Sequence, residues 1–353
     1  MALNASEIAK LAQIAITAYS TDDSTDNFNV ARPLLDILTK VAKPLSVGPD
    51  GFTENIYIAN NGNTQDVTGN GKVTYNTRNN NQLLKFDYSF VHDGLTISED
   101  ELYRAGIRVT DSDKLSGTST QNERVQIVDW MRDQLKSLKM GQQEGIHQRL
   151  WSDGSQSADR RPGIDALVSL TPSVGTIGGY SAANPIWQNF AVTGVVPTGT
   201  TGLANLTIPL GQLNRNVAQR NGKVTHYFAG GSFIDAARTA VLSANQSVIN
   251  YENTGRLEID LGTKDLMING KPVIFVPDFE TNFGLSAPTI PWTKRLYGLN
   301  LESSITLRKD KNDYFNARDA GRPIDQYTFY MGMTSKFGIS IKWRNSNFVM
   351  SIA

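Results

Sequence analysis

The chain has 353 residues, 39% hydrophobic and 19% charged, with 34 Lys and Arg against 34 Asp and Glu and no cysteine. That is an ordinary globular composition with room for a large core and two or three subdomains. With no surplus of cations it cannot coat nucleic acid by charge, without thiols it has no disulfides or thiolate metal sites, and no run approaches the ~18 apolar residues of a membrane span.

Residues 1–7 carry no basic region ahead of an apolar run, so no secretory signal is expected. Ile8, Leu11, Ala12, Ala15, Ile16 and Tyr19 recur at helical spacing and predict an amphipathic helix over 4–19. The polar, acidic stretch 21–27 breaks it. A second short helix follows over 30–38, with Pro33 suited to its first turn, and ends before Pro44.

From about 47 to 91 the sequence becomes an extended excursion rich in Asn and Gly: Asn60-Asn61-Gly62-Asn63, then Gly69-Asn70-Gly71, then Asn79-Asn80-Asn81. Strand-like arms flank it, Asn55-Ile56-Tyr57-Ile58 on one side and 84–90 on the other. In the second arm Leu84, Phe86, Tyr88 and Phe90 alternate with Lys85, Asp87 and Ser89, the period of a half-buried strand, and His92 continues the same face. A polar arm of this length buries no core of its own and needs a neighbour to lie on. The chain therefore reads as a subunit that completes itself by assembling. The residues expected to touch across subunits are Asn60, Asn61, Gly62, Asn63, Asn70 and Gly71 at the tip, with Tyr75, Phe86 and Tyr88.

Ser98 with Glu101 forms a capping box for a short helix that stops near Gly106, and a Ser/Thr/Asp/Gly linker covers 110–120. Thr120 with Glu123 opens the longest helix, about 121–150, whose stripe is Ile127, Met131, Leu135 and Leu138, with a kink or break expected at Gly141 and Gly145. Residues 152–202 are rich in turns. Beyond them Leu210, Leu213 and Val217 predict a helix, 224–229 a strand, and Ser232 caps a helix carrying Phe233, Ala237 and Val241. Asn269-Gly270 reads as a hairpin turn ahead of a buried strand, 273–277. Tyr327, Phe329, Met331 and Met333 alternate near the end, as do Phe337, Ile339, Ile341 and Trp343. The mixture is α+β.

This order of parts resembles the HK97-fold major capsid proteins of tailed phages. One stretch resembles them residue by residue: Gly163-Ile164-Asp165-Ala166-Leu167-Val168, then Gly175-Thr176-Ile177-Gly178-Gly179-Tyr180, then Trp187-Gln188-Asn189. The family pattern continues Gly-Gly as Ile-Asp-Arg and has Arg between the Trp and Asn; this chain has Tyr180-Ser181-Ala182 and Gln188 instead. The resemblance implies an N-terminal arm with short helices over 1–46 and an extended E-loop over 47–96 that lies on an adjacent subunit. It implies a peripheral domain over 97–160 with the long helix as its spine, a mainly axial domain over 161–304, and terminal strands over 305–353 shared between the two domains. It further implies hexamers and pentamers closing an icosahedral head around double-stranded DNA, assembled in the host cytoplasm, with a separate scaffolding protein because the segment before Arg32 is short, a portal protein, and room for a decoration or cement protein. DNA contacts are expected to be non-specific, with no cofactor and no enzymatic activity.

Sharper chemical readings are weaker. Gly230-Gly231-Ser232 lacks the Lys of a phosphate loop, so a turn plus helix cap is expected. His92, His147 and His226 are scattered, without metal-ligand spacing. Asp22-Asp23 and Asp26 lack the Gly and distal Glu of a calcium loop. Trp151, Trp187, Trp292 and Trp343 are expected in the core or at interfaces. The rival readings are an encapsulin-like nanocompartment shell, a phage tail component and a hydrolase, the last opposed by the absence of any nucleophile–base motif.

Overall fold

The computed structural model of the chain describes residues 2–4, 31–46, 51–60, 62–78, 80–104, 108–110, 121–199, 201–243, 266–321 and 327–353. In chain order these form β1 (Ala2–Asn4), α1 (Pro33–Lys40), β2 (Lys43–Pro44), β3 (Phe52–Tyr57), β4 (Asn81–Phe86), β5 (Ser89–Ser98), α2 (Glu99–Arg104), β6 (Arg108–Thr110) and α3 (Gln121–Trp151). There follow α4 (Ile164–Leu167), β7 (Thr176–Ile177), β8 (Tyr180–Ser181), β9 (Phe190–Val195), α5 (Gly202–Gln219), β10 (His226–Ala229) and α6 (Gly231–Ser243). The last elements are β11 (Met267–Ile268), β12 (Lys271–Phe275), β13 (Arg295–Leu299), β14 (Ile305–Lys309), β15 (Asn316–Gly321), β16 (Thr328–Ile341) and β17 (Phe348–Ile352). The helix expected over 4–19, the acidic string at 22–26 and the Thr120 cap lie outside the described residues.

The chain divides into two units. One draws on 1–29, 89–148 and 309–337. In it β5 runs antiparallel to β16 through ten paired positions, from Ser98↔Thr328 to Ser89↔Phe337, and β15 pairs with β16 through a bulge between Arg318 and Gly321. The Ser98 capping box is formed reciprocally: the Ser98 N–H donates to Glu101 Oε2 at 3.0 Å and the Glu101 N–H to Ser98 Oγ at 3.2 Å. Helix α3 spans 31 residues, about 46 Å at 1.5 Å per residue. Its buried stripe continues through Leu135, Leu138, Gln142 and Ile146, while the side chains of Ile127 and Met131 lie outside the described ones. The break expected at Gly141 and Gly145 is absent and the helix runs unbroken through both. A Cβ on Gly141 would stand 3.0 Å from Asp93 Oδ2, the movable end of a side chain. In the same unit Asp313 is buried against Arg318 and Lys336, each ion pair at 2.9 Å, and accepts a hydrogen bond from the Thr334 hydroxyl.

The second unit draws on 30–88, 149–308 and 338–353. Its centre is a six-stranded mixed sheet in the order β11-β12-β10-β13-β17-β9, with β10–β12 and β17–β9 parallel. Leu206, Leu210, Leu213 and Val217 of α5 and Phe233, Ala237 and Val241 of α6 fill one core with the sheet residues Tyr227, Val273, Leu296, Phe348 and Met350. Asn269 and Gly270 both hold positive φ, 52° and 72°, the geometry of the two-residue hairpin turn between β11 and β12. Helix α6 starts at Gly231, so Ser232 is inside its first turn and is not its cap as expected. The Gly231 N–H instead donates to Glu280 Oε1 at 2.7 Å, which places the chain's own carboxylate where an anion would bind.

The stretch with family likeness supplies buried residues to the same unit. Ile164, Leu167, Val168, Trp187 and Asn189 are all buried. A Cβ on Gly163 would meet the carbonyl oxygens of Arg149 and Leu150 at 2.5 Å, so only glycine lets this segment cross the end of α3. Trp151 is enclosed by Phe228, Phe279 and Tyr297, with ring centroids 5.7, 4.8 and 5.3 Å away.

Candidate assembly interface

The extended excursion is a hairpin arm. β3 and β4 pair antiparallel from Phe52↔Phe86 to Tyr57↔Asn81, and the pairing is carried outward by the Ile58 N–H donating to Asn80 O at 2.9 Å. Alternation sends Phe52, Glu54 and Ile56 of β3 and Leu84 and Phe86 of β4 inward. Phe52 stacks on Phe86 at 6.0 Å and lies where a side chain on Gly338 would be, with a Cβ there only 2.4 Å from the ring. The Lys85 N–H donates out of the hairpin to Gly178 O at 2.9 Å. Gly178 and Gly179 hold φ of 63° and 79° in the β7–β8 turn, and a Cβ on Gly178 would press on Leu84. Asp87 closes the root through an ion pair with Arg161 at 2.7 Å and accepts the Tyr88 N–H at 2.9 Å.

Glu54, only 3% exposed, uses both carboxylate oxygens. Oε1 accepts from Arg308 Nη2 at 2.7 Å, Arg308 Nε at 3.2 Å and Ser340 Oγ at 3.1 Å; Oε2 pairs with Lys342 Nζ at 2.9 Å. Burial raises this carboxyl's pKa, but hydrogen bonds from Lys342 and Arg308 and their charges outweigh burial and hold it below the usual carboxylate range. Arg344, fully buried, donates to the carbonyls of Leu167, Pro172 and Trp187 at 2.8, 2.9 and 3.3 Å, and burial brings its pKa down to about 10.

Beyond its root the arm has almost no cover. The described residues of 62–78 are exposed except Gln65, which is half-buried. Tyr75 is 92% exposed and Tyr57 78%, and Val67, Val73 and Leu83 are exposed as well. Of the expected contact residues, Asn60, Gly62, Asn63, Asn70, Gly71 and Tyr75 lie on this exposed part, and Asn61 is outside the described residues. Asn63 is engaged within the arm, donating to Thr74 O at 2.8 Å. Phe86 is spent on the arm's own root, and Tyr88 is half-buried there.

The continuous face expected through Leu84, Phe86, Tyr88, Phe90 and His92 is broken. The strand ends at Phe86, a new one starts at Ser89, and the buried positions shift from even to odd: Ser89 and Val91 are buried, Phe90 is 56% exposed and His92 is exposed. β4 pairs with β3 and β5 pairs with β16, so the alternation ends with one sheet and restarts with another at Ser89.

Sequence reasoning passed over Glu54, although its position between Phe52 and Ile56 on a strictly alternating strand marks it as a buried carboxylate. It also passed over a hollow of about 280 Å³ beside the arm's root, lined by Tyr57, Ile186, Trp343 and Lys342 among others. Among the described residues no group of three or more His, Asp or Glu is placed to hold a metal ion, and no helix is long and apolar enough to cross a membrane.

No protein-family model matches the sequence, and no curated protein matches it. Solved capsids match the fold over nearly its whole length. The cyanophage A-1(L) capsid asymmetric unit superposes with a TM-score of 0.62 at 15% identity, covering 94% of this chain and 95% of that one. The capsid of an empty GTA particle gives 0.53 at 12% identity, covering 96% and 97%. The mature capsid of bacteriophage PhiM1 gives 0.52 at 10% identity, covering 94% and 90%. At these identities the likeness is one of fold.

Proposed function

We propose that this chain, which has the HK97-like fold of tailed-phage capsid proteins, is the major capsid protein of a tailed phage. It assembles into hexamers and pentamers that close an icosahedral shell around double-stranded DNA. The observation that carries this reading is the arm: a hairpin rooted in its own subunit, with Tyr57, Val67, Val73, Tyr75 and Leu83 left exposed along it. A surface of that kind is covered when each copy lays its arm on the next, a heterologous contact that closes into rings.

On this reading the arm is the E-loop. Helix α3 is the spine of the peripheral domain, and the six-stranded sheet with α5 and α6 is the body of the axial domain. A scaffolding protein directs assembly, a portal protein occupies one vertex, and DNA is driven in by a separate motor, since a chain with 34 basic and 34 acidic residues offers no surplus charge to condense it.

The test is to replace 62–72 by a two-residue turn and coexpress the variant with the genes that neighbour it. The root of the arm is untouched, so the variant keeps the circular dichroism of the parent and a Tm within a few degrees, and forms no closed shells. Normal shells from this deletion would refute the assembly role of the tip.

A further inference from the structure

We infer that Glu54 is a latch that fixes the direction in which the arm leaves its subunit, a positioning residue for the assembly surface rather than a part of it. The ladder between β3 and β4 is internal to the hairpin and does not tie it to the body. What ties it to the body is a short set of contacts. The apolar ones, Phe52, Ile56, Leu84 and Phe86, are non-directional, and one backbone bond, from the Lys85 N–H to Gly178 O at 2.9 Å, holds β4 at a single point. The Asp87–Arg161 pair is half-exposed at both ends and constrains little.

Glu54 differs in kind. Its donors come from three separate residues, Arg308 on β14, Ser340 on β16 and Lys342 just beyond β16, and charge-assisted bonds of 2.7 to 3.2 Å tolerate little change of angle. Arg308 is fixed in turn over the Phe52 ring at 5.4 Å. A buried ion pair adds little net stability over an apolar contact of the same shape, but it penalises every arrangement that leaves one partner unpaired. That is the property a latch requires.

The charged groups facing Glu54 are Arg308 and Lys342, and the carboxyl is the group that takes up a proton in acid. Because burial is outweighed by the two cations, the latch is closed at neutral pH and is released as pH falls through a value below the ordinary ~4.3 of a glutamate.

Amide hydrogen exchange of the full-length, unassembled protein tests this directly, because the Lys85 N–H bonds outward to Gly178 and reports docking of the arm rather than its internal pairing. In Glu54→Gln, Lys85 is expected to exchange at least tenfold faster while the Tyr297 and Val349 amides of the six-stranded sheet keep their rates. After correction for intrinsic exchange, Lys85 protection in the parent falls on acidification through the carboxylate range, and in Glu54→Gln it is flat. Lys342→Gln removes one partner only and gives a smaller shift in the same direction; it decides the matter if Glu54→Gln does not fold. Unchanged Lys85 protection in the folded variants, or the parent's acid response persisting without the carboxylate, would overturn the latch and leave apolar packing as what aims the arm. Only the consequence for assembly, irregular shells in place of closed ones, rests on the capsid reading; the exchange result stands or falls without it.

Discussion

A methyl group on Gly163 would stand 2.5 Å from two carbonyl oxygens in the last turn of α3, with a third, that of Ser152, at 2.6 Å. None of the three is a flexible side-chain end that could move aside. Gly163→Ala should therefore cost about 3 kcal/mol or more, at the upper end of overpacking. Gly179 is the control: its Cβ would meet nothing, and only its φ of 79° resists substitution. Gly179→Ala should cost about 1 kcal/mol. Urea midpoints of the two variants check the ranking, and equal losses would show that the close approach is relieved elsewhere. Asp313 carries a prediction in pH. Burial raises its pKa, but hydrogen bonds from Thr334 and Lys336 and the charges of Lys336 and Arg318 hold it lowered. A depressed carboxyl contributes stability that is present above its unfolded value, ~3.9, and is lost as pH falls through the folded one. Melting temperatures measured from pH 6 to pH 2 should fall less steeply in Asp313→Asn than in the parent. Glu54 shows what was legible at this scale and what was not. Its burial is written in the alternation of β3, but its partner Arg308 is 254 residues away, and no local pattern points to it.

Signals confined to a few neighbouring residues were readable as elements. The Ser98–Glu101 box, the Asn269-Gly270 turn and Pro33 in the first turn of α1 all act through bonds or dihedrals within four residues, and each is where the sequence places it. Patterns that needed a neighbour were misread. The glycines of α3 looked like breaks because helix propensity counts their entropy, about 1 kcal/mol each, which a continuous helix of 31 residues tolerates. The alternation through His92 looked continuous because the apolar residues keep their spacing while β4 and β5 pair with different strands. The sheet order, with parallel pairs between β10 and β12 and between β17 and β9, lies between segments far apart in sequence. For the arm, the sequence marked the exposed tip but also counted Phe86 among the inter-subunit contacts, a residue that packs on Phe52 at the root. The exposed rings make the prediction at this scale. Tyr75→Ala should leave the Tm within about 1 kcal/mol equivalent of the parent, since exposed positions contribute little to stability, yet reduce shell yield severalfold. Full yield with Tyr75→Ala would move the contact elsewhere along the arm.

For the whole molecule, resemblance reached further than composition. The stretch that looks like a capsid protein includes several packing residues: Gly163 under the end of α3, Ile164, Leu167 and Val168 in the core, and Asn189 donating to Ser169 O at 2.8 Å. Such positions report the fold and say little about partners, which is why the fold could be anticipated while the contacts could not. The neutral charge is consistent with a container whose contents are loaded by another machine, and the uncovered arm with a subunit finished by its neighbours. The measurement that tests this most directly is electron microscopy of the full-length protein, expressed alone and together with its neighbouring genes. The account predicts closed round shells built of hexamers and pentamers that require a scaffolding gene for regular closure. Regular shells formed by the chain alone around a protein cargo would point to a nanocompartment, and discrete small oligomers under every condition would contradict the shell altogether.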